Sequence, residues 1–241
     1  WVGQTGWEGL NEVARIISGA SIPSGHLADT FAMDTRSTPA YANTVASAYT
    51  NANTMGLSNV SQQGVYIVYQ EGIYVGYKYY ETRYEDAVLG AGNARSATGA
   101  VNSSSGWVYG EEVAFPFGHG DSYTSFEYSD FNVNEVENGY EVTLTVKNTG
   151  SKKGADAVQV YVQKPYCDHD RQNGIEQAAV NLAGYAKTAE LEPNGVESVR
   201  IVVRDDALKT YDANDNRTYI REKGKYYITA AQDAHAAVNN I

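Results

Sequence analysis

The 241-residue chain contains 18 Lys and Arg residues against 29 Asp and Glu residues, which gives a formal net charge of -11, and its basic residues are scattered. Such a surface repels phosphate backbones, so nucleic acid is excluded as an expected partner. No apolar run approaches the roughly 20 residues that cross a bilayer, so no membrane partner is expected. The length allows one large domain or two ordinary ones, and we expect two.

The cysteine and histidine content predicts neither a disulfide nor a metal or cofactor site. Cys167 is the single cysteine, and the four histidines are far apart in the sequence. The neighbours Asp168, His169 and Asp170 look like a set of metal ligands, but adjacent residues of an extended chain point to opposite faces. A solvated loop is therefore predicted at these positions.

The first half has the pattern of the end of a layered α/β domain. Apolar residues at helical spacing predict a buried helix over residues 9–18. A Pro-Ser-Gly turn at 23–25 then leads into a short extended segment, 26–31, which completes a helix–turn–strand unit. Residues 35–63 are rich in Ser, Thr, Asn and Ala and predict mostly loop, with a short helix at 44–50.

Two later segments of the first half have opposite compositions. Residues 65–69 and 73–80 are dense in tyrosine and β-branched residues and predict a hairpin around a turn at 70–72. A stretch rich in Gly, Ala, Ser and Asn follows and predicts a flexible loop near residues 87–106.

The second half predicts an all-β domain, because short alternating segments are separated by turn residues at regular intervals. An immunoglobulin-like β-sandwich is the fold that this pattern favours. The fold class is therefore α/β followed by all-β. The predicted strands are residues 140–147, 158–163, 180–187, 198–204, 217–221 and 226–230.

Residues 112–128, EVAFPFGHGDSYTSFEY, closely resemble a signature of glycoside hydrolase family 3. In that family the signature runs from an α/β sandwich domain into a fibronectin-III-like domain. The resemblance therefore implies the end of an α/β sandwich domain over residues 1–122 and a fibronectin-III-like β-sandwich over 123–241. Further segments resemble the family in the same order, and together they extend over nearly the whole chain: 9–31, 71–80, 142–154 and 182–187.

The resemblance implies hydrolysis of β-linked glucosides or oligosaccharides with retention, by a carboxylate nucleophile and a carboxylic acid/base about 5 Å apart. In the family the nucleophile lies on a (β/α)8 barrel, and the acid/base usually lies upstream of the segment matched here. The chain is therefore expected to lack the catalytic pair and to act with a barrel domain, in the same parent protein or as a second chain.

Two residues invite a catalytic role that their context does not favour. Asp130, in the sequence YSDF, resembles the family's nucleophile motif, but it follows the signature directly, in the position of a linker. His119 lies between two glycines, and the sequence fixes no acidic or hydroxyl partner beside it, so a structural turn is predicted.

Three residues are candidate substrate-binding residues. Trp7 and Glu8 lie in a glycine-rich strand-to-helix turn, and ligands of α/β sheets gather at such edges. Glu8 has an alternative role in stabilising the positive end of the following helix. Trp107 either lines a cleft or pins the flexible loop that precedes it. For the tyrosines of 73–80, packing in strands and domain seams is favoured over sugar stacking.

Residues 27–39 look more like a subgroup of the family in which the barrel comes last, after the sandwich and the fibronectin-like domain. The chain does not begin with methionine and is expected to be a piece of a longer protein. Two alternatives stay open: a non-catalytic carbohydrate-binding or cell-surface module that binds through its β-sandwich, and a scaffold that only docks onto a barrel domain. Compartment and sugar preference are not indicated.

Overall fold

The computed structural model describes residues 5–44, 46–52, 54–56, 65–68, 72–92, 100–103 and 106–241. The chain forms two compact units, one of Trp1–Asp29 with Pro116–Ile241 and the other of Thr30–Phe115. The domain boundary predicted after residue 122 divides the sequence at a single point, whereas the first compact unit combines two separate segments. The predicted boundary stays a prediction. Within the described ranges, no helix has the length and apolarity needed to span a membrane.

The first helix, α1 (Gly6–Ile17), is amphipathic as its sequence predicts, but none of its residues is buried. Trp7 is 95% exposed, and Leu10 and Ile17 are also exposed. The prediction of a buried helix is therefore wrong for this chain. The physical reason is that no described element covers the apolar face of α1.

The unit of Thr30–Phe115 is built from short elements. A two-residue strand from its beginning pairs antiparallel with a strand from its end, and a second pair of strands forms a separate ribbon. Tyr80, Trp107 and Val113 form a small buried core. The elements are β1 (Phe31–Ala32), α2 (Pro39–Asn43), β2 (Ala46–Ala48), β3 (Val65–Ile67), α3 (Tyr77–Tyr84), a π-helical turn (Glu85–Leu89), α4 (Tyr109–Glu112) and β4 (Val113–Phe115).

The hairpin predicted from the tyrosine-rich segments is wrong. Strand β3 pairs with β2, and Tyr77–Tyr84 form helix α3 instead of a second strand. Tyr77, Tyr80 and Tyr84 recur at helical spacing, and Tyr80 is buried in the core of the unit. Burial along one helical face thus outweighs the modest β propensity of tyrosine. Of the predicted turn, residues 70 and 71 lie outside the described residues.

Two shorter predictions in this unit are also corrected. The helix predicted at 44–50 lies earlier, because the Thr38 side chain accepts a hydrogen bond from the Tyr41 N–H and Pro39 occupies the first turn of α2. Of the extended segment predicted at 26–31, Phe31 is the one residue that belongs to a strand. Residues 93–99, 104 and 105 of the predicted flexible loop lie outside the described residues.

The other unit contains the β-sandwich, with two three-stranded antiparallel sheets ordered β5-β6-β9 and β12-β7-β8 and a separate two-stranded ribbon, β10–β11. All six predicted strands are present, with shifts of one or two residues at some ends. The elements are β5 (Phe126–Val136), β6 (Gly139–Asn148), β7 (Ala157–Gln163), α5 (Asp168–Asn173), β8 (Asn181–Lys187), β9 (Val196–Arg204), β10 (Thr210–Asp212), β11 (Thr218–Ile220), β12 (Tyr227–Ala231) and α6 (Ala234–Asn240).

The core of the sandwich follows from alternation along its strands. Every second side chain of a half-buried strand points to the same face, so each strand delivers a row of aliphatic residues to one side. Strands β6, β7 and β9 each contribute three fully or nearly fully buried residues. These are Val142, Leu144, Val146, Val158, Val160, Val162, Val199, Ile201 and Val203.

Candidate functional site

Trp7 and Glu8 lie in the first turn of α1, and both are exposed. A carboxylate in the first turn interacts favourably with the positive end of a helix, which suits the alternative role of Glu8. The turn that precedes the helix begins in residues outside the described ranges. The structure therefore brings Trp7 and Glu8 together, and their role in substrate binding stays a prediction.

Trp107 belongs to the other compact unit and is 4% exposed. Its indole packs in the core with Tyr80 and Val113, and the Arg83 guanidinium carbon lies 5.7 Å from the ring centroid. A cation at this distance is attracted by the face of the ring. This environment suits the pinning role, and the cleft-lining role stays a prediction.

Glu112 is a buried carboxylate that sequence reasoning missed. Its Oε1 atom accepts hydrogen bonds from the backbone N–H groups of Val101, Asn102 and Ser103, each at 2.9 Å, and from the Ser103 hydroxyl at the same distance. Burial disfavours the charged form, but these donors outweigh burial and hold the pKa of Glu112 below its ordinary value. Glu112 thereby fixes the chain just before Trp107.

A second buried carboxylate, Glu81 on α3, accepts a hydrogen bond from the Tyr109 hydroxyl at 2.5 Å. Neither Glu81 nor Glu112 has exposed surface. The carboxyls of a retaining glycosidase must face the sugar from both sides, which requires access that these two side chains do not have. Their hydrogen bonds indicate a structural role.

In the sandwich unit, His26 joins three segments that are far apart in sequence. Its Nδ1–H donates to the Gly118 carbonyl at 2.5 Å, and its Nε2 lies 3.5 Å from Oδ1 of Asp156. Asp156 also accepts a 2.6 Å hydrogen bond from the Tyr128 hydroxyl. The hydrogen bond to Asp156 raises the pKa of His26, and the Gly118 carbonyl adds to this effect, while burial opposes it. The network holds the Gly-His-Gly turn of the family signature against strand β7.

His119 lies in a turn, as predicted: its N–H donates to the Pro116 carbonyl, and its own carbonyl accepts from the Leu27 N–H. The predicted linker position of Asp130 is wrong, because this residue lies inside strand β5. It has a left-handed φ of 54°, where the pairing of β5 with β6 is irregular. Its side chain is exposed and accepts a hydrogen bond from the Ser129 hydroxyl.

The segment around His169 is a helix, α5, and the loop predicted for Asp168, His169 and Asp170 is wrong. Asp170 is buried and accepts a 2.7 Å hydrogen bond from the Cys167 N–H, whereas Asp168 is exposed. These two acids therefore lie in different environments, as helical geometry allows for residues two apart.

Two clusters near α5 have donor atoms within 4.8 Å of one another: His169 with Asp212 and Asp215, and Cys167 with Asp170 and Glu222. In the first, His169 Nε2 lies 3.1 Å from Oδ2 of Asp212. Asp212 is fully buried and also accepts from three backbone N–H groups of residues 214–216. Because these hydrogen bonds occupy its carboxylate, Asp212 organises the turn at residues 214–216. The expectation that the chain holds no metal stays a prediction.

Comparisons with known proteins match both the sandwich alone and nearly the whole chain. A fibronectin type III-like domain model matches residues 156–234. A β-glucosidase of Ruminococcus albus is 30% identical over 98% of this chain and 20% of its own length. A solved β-glucosidase from Paenibacillus barengoltzii superposes with a TM-score of 0.68 at 26% identity, over 95% of this chain and 20% of that one. β-Glucosidase 3B of Thermotoga neapolitana, solved with α-D-glucose, gives a TM-score of 0.63 at 27% identity, over 93% and 25%.

These relatives extend over nearly the whole chain, and the fibronectin-like match falls on the strands of the sandwich. The chain belongs to glycoside hydrolase family 3, and it corresponds to the end of the α/β sandwich domain together with the fibronectin-III-like domain. It spans about one fifth of the length of the Ruminococcus albus relative.

Proposed function

We propose that this chain is part of a retaining β-glucosidase that hydrolyses β-linked glucosides or oligosaccharides. The observation that carries the proposal is the match of 98% of this chain to a β-glucosidase five times its length. In the proposed mechanism, one ionised carboxyl attacks the anomeric carbon and a second, protonated carboxyl releases the leaving group. Both carboxyls belong to the parent protein outside this chain.

The chain's own contribution is a wall of the substrate cleft and a stabilising β-sandwich. Trp7 and Glu8 are the proposed wall residues because both are exposed at the start of α1, where an aromatic face and a carboxylate are available to a sugar. Trp107 supports the second unit from its core. The barrel domain, in the parent protein or as a second chain, is the proposed partner.

The exposed apolar face of α1 supports the idea that this chain is completed by further sequence. Leu10 and Ile17, which lie on this face, are exposed at 61% and 78%. Burying a side chain of this size contributes about 1.5–3 kcal/mol, so a neighbouring element would be well stabilised here. We propose that the rest of the α/β sandwich domain packs on this face.

The test is an assay with an aryl β-glucoside, comparing the isolated 241 residues with the parent protein that includes the barrel. We expect turnover by the parent and none by the isolated chain. Turnover that stays with the isolated chain through purification contradicts the placement of the catalytic carboxyls. A parent that binds the glucoside without hydrolysing it supports the non-catalytic alternative instead.

A further inference from the structure

The ribbon β10–β11 presents two exposed tyrosines side by side. Tyr211 and Tyr219 are directly opposite each other in the antiparallel register. Their ring centroids are 5.3 Å apart and the ring planes are inclined by 65°. Tyr211 is 51% exposed and Tyr219 is 68% exposed. The ribbon belongs to neither sheet of the sandwich, so this pair fills no part of the sandwich core.

The ribbon that carries the pair is held rigidly from its other face. Asp212, next to Tyr211, is fully buried and ties down the turn between the two strands through its Oδ1 and Oδ2 atoms. Asn214 Nδ2 donates to the Asn173 carbonyl at 2.6 Å, which joins the turn to α5. An exposed aromatic pair on a fixed support loses little conformational entropy when a ligand stacks on it.

The size of the patch distinguishes between classes of ligand. A tyrosine buries at most about 150–250 Å², so two partly exposed rings offer on the order of 250 Å² in total. A stable protein interface needs about 800 Å² from each partner. The residues that flank the two tyrosines along β10 and β11 point to the opposite face of the ribbon and do not enlarge the apolar area. The patch therefore fits one or two sugar rings better than a protein surface.

The charge around the patch favours a neutral ligand. The turn carries one exposed acid, Asp215, and one exposed base, Arg217, whose charges compensate locally. The chain as a whole has a net charge of -11, which repels polyanions such as nucleic acids or acidic polysaccharides. Hydroxyl groups of a neutral sugar can pair with the phenolic hydroxyls of the two tyrosines, while its C–H face lies on a ring.

We propose that Tyr211 and Tyr219 form a non-catalytic binding site for a soluble, neutral β-glucan oligosaccharide. The inclined rings form a corner, which suits the end of a single saccharide chain, whereas a flat crystalline surface requires coplanar rings. The choice of a β-glucan rests on the proposed β-glucosidase function. The site itself lies wholly in this chain, so binding and hydrolysis can fail independently.

The test is calorimetric titration of the 241-residue chain with cellotetraose, beside the variants Tyr219→Ala, Tyr219→Phe and Tyr185→Ala. Tyr185, on β8, is 73% exposed and serves as the matched control. Removing one stacking ring lowers affinity by roughly tenfold, so we expect that loss for Tyr219→Ala. Tyr219→Phe keeps the ring and should keep most of the affinity, and Tyr185→Ala should bind like the wild type.

Several results would overturn the proposal. The first is an absence of cellotetraose binding by the wild type, and the second is an equal loss in Tyr185→Ala. Adsorption to microcrystalline cellulose without binding of cellotetraose would also contradict it. If the wild type sediments as a dimer without binding sugar, and Tyr219→Ala sediments as a monomer, the patch would be assigned to self-association. Tyr211→Ala provides a second truncation in case Tyr219→Ala does not fold, and it must show the same loss.

Discussion

Nε2 of His26 lies 3.5 Å from Oδ1 of Asp156, and both side chains are largely buried. Because the pKa of His26 is raised in the folded state, its stabilising contribution is complete below its ordinary pKa of 6.5 and is lost as the pH rises through the folded value. We expect the free energy of unfolding of the sandwich unit to decrease as the pH rises through this range.

Urea unfolding at a series of pH values measures this effect. His26→Gln and Asp156→Asn should each reduce the dependence on pH, and the remainder should come from His169, whose pKa the hydrogen bond to Asp212 also raises. An unchanged pH profile in both variants would show that this pair does not couple folding to protonation.

Gly118, in the family signature, has a φ of +86°, and an added Cβ would lie 2.2 Å from Oε1 of Gln159. Gln159 Nε2 donates to the carbonyls of Gly118 and Gln232, so its amide cannot move without losing partners. We expect Gly118→Ala to lower the free energy of unfolding by about 2–4 kcal/mol, from backbone strain and displaced hydrogen bonds. The control is Gly110→Ala, where an added Cβ has open space; equal losses in both would contradict the argument.

Glu112 is the acceptor for three consecutive backbone N–H groups. Glu112→Ala leaves these donors without their acceptor, and we expect a loss of about 3 kcal/mol, with a smaller loss of about 1 kcal/mol for Glu112→Gln. Hydrogen exchange of residues 101–103 should accelerate in the alanine variant. Glu111→Ala, at an exposed neighbouring position, should stay within about 0.5 kcal/mol of the wild type. Unchanged exchange in Glu112→Ala would show that the carboxylate does not organise this segment.

Asp212 is the main cause of the raised pKa of His169. We expect Asp212→Asn to lower the His169 pKa, which NMR titration of the imidazole measures directly. Asp215→Asn is the matched control, because Asp215 contributes only a minor charge effect at His169. A larger shift in the control than in Asp212→Asn would reverse the assignment of the partner.

Leu10 lies on the exposed apolar face of α1. In the isolated chain, Leu10→Gln should change the free energy of unfolding by less than about 0.5 kcal/mol, because the side chain is already in water. In the full parent protein, we expect a loss of about 1–2 kcal/mol, since the proposed neighbouring element would bury it. Asn11→Gln, which keeps a polar amide at an exposed position, should be neutral in both. Equal effects of Leu10→Gln in the two proteins would contradict the proposed packing.

The sandwich was largely predictable from sequence because apolar and polar residues alternate along its core strands. The strand that begins near Tyr140 shows every second residue as Val or Leu, and a one-residue slip would expose the whole row. Turn residues such as Asn194, with its left-handed φ of 65°, mark where the strands end. Local pattern and tertiary burial agree at these positions.

The unit of residues 30–115 was harder to predict because its burial does not follow from local propensity. Tyr77, Tyr80 and Tyr84 satisfy a helical period, but Tyr77 and Tyr79, two residues apart, also satisfy a strand period. Packing decides between the two. The carboxylate network at Glu112 depends on donors from a loop with no periodic signal. In the sequence, Glu112 directly precedes a β-branched strand residue, and this position does not indicate that its carboxylate is buried and accepts backbone hydrogen bonds.

The antiparallel pairing of Phe31 with Phe115 places the entrance and the exit of the 30–115 unit side by side. In the other unit, the Leu27 N–H donates to the His119 carbonyl and the Leu27 carbonyl accepts from the Gly118 N–H. The chain therefore re-enters that unit next to the point where it leaves it. An insertion with adjacent ends can grow or shrink during evolution without altering the strands on either side.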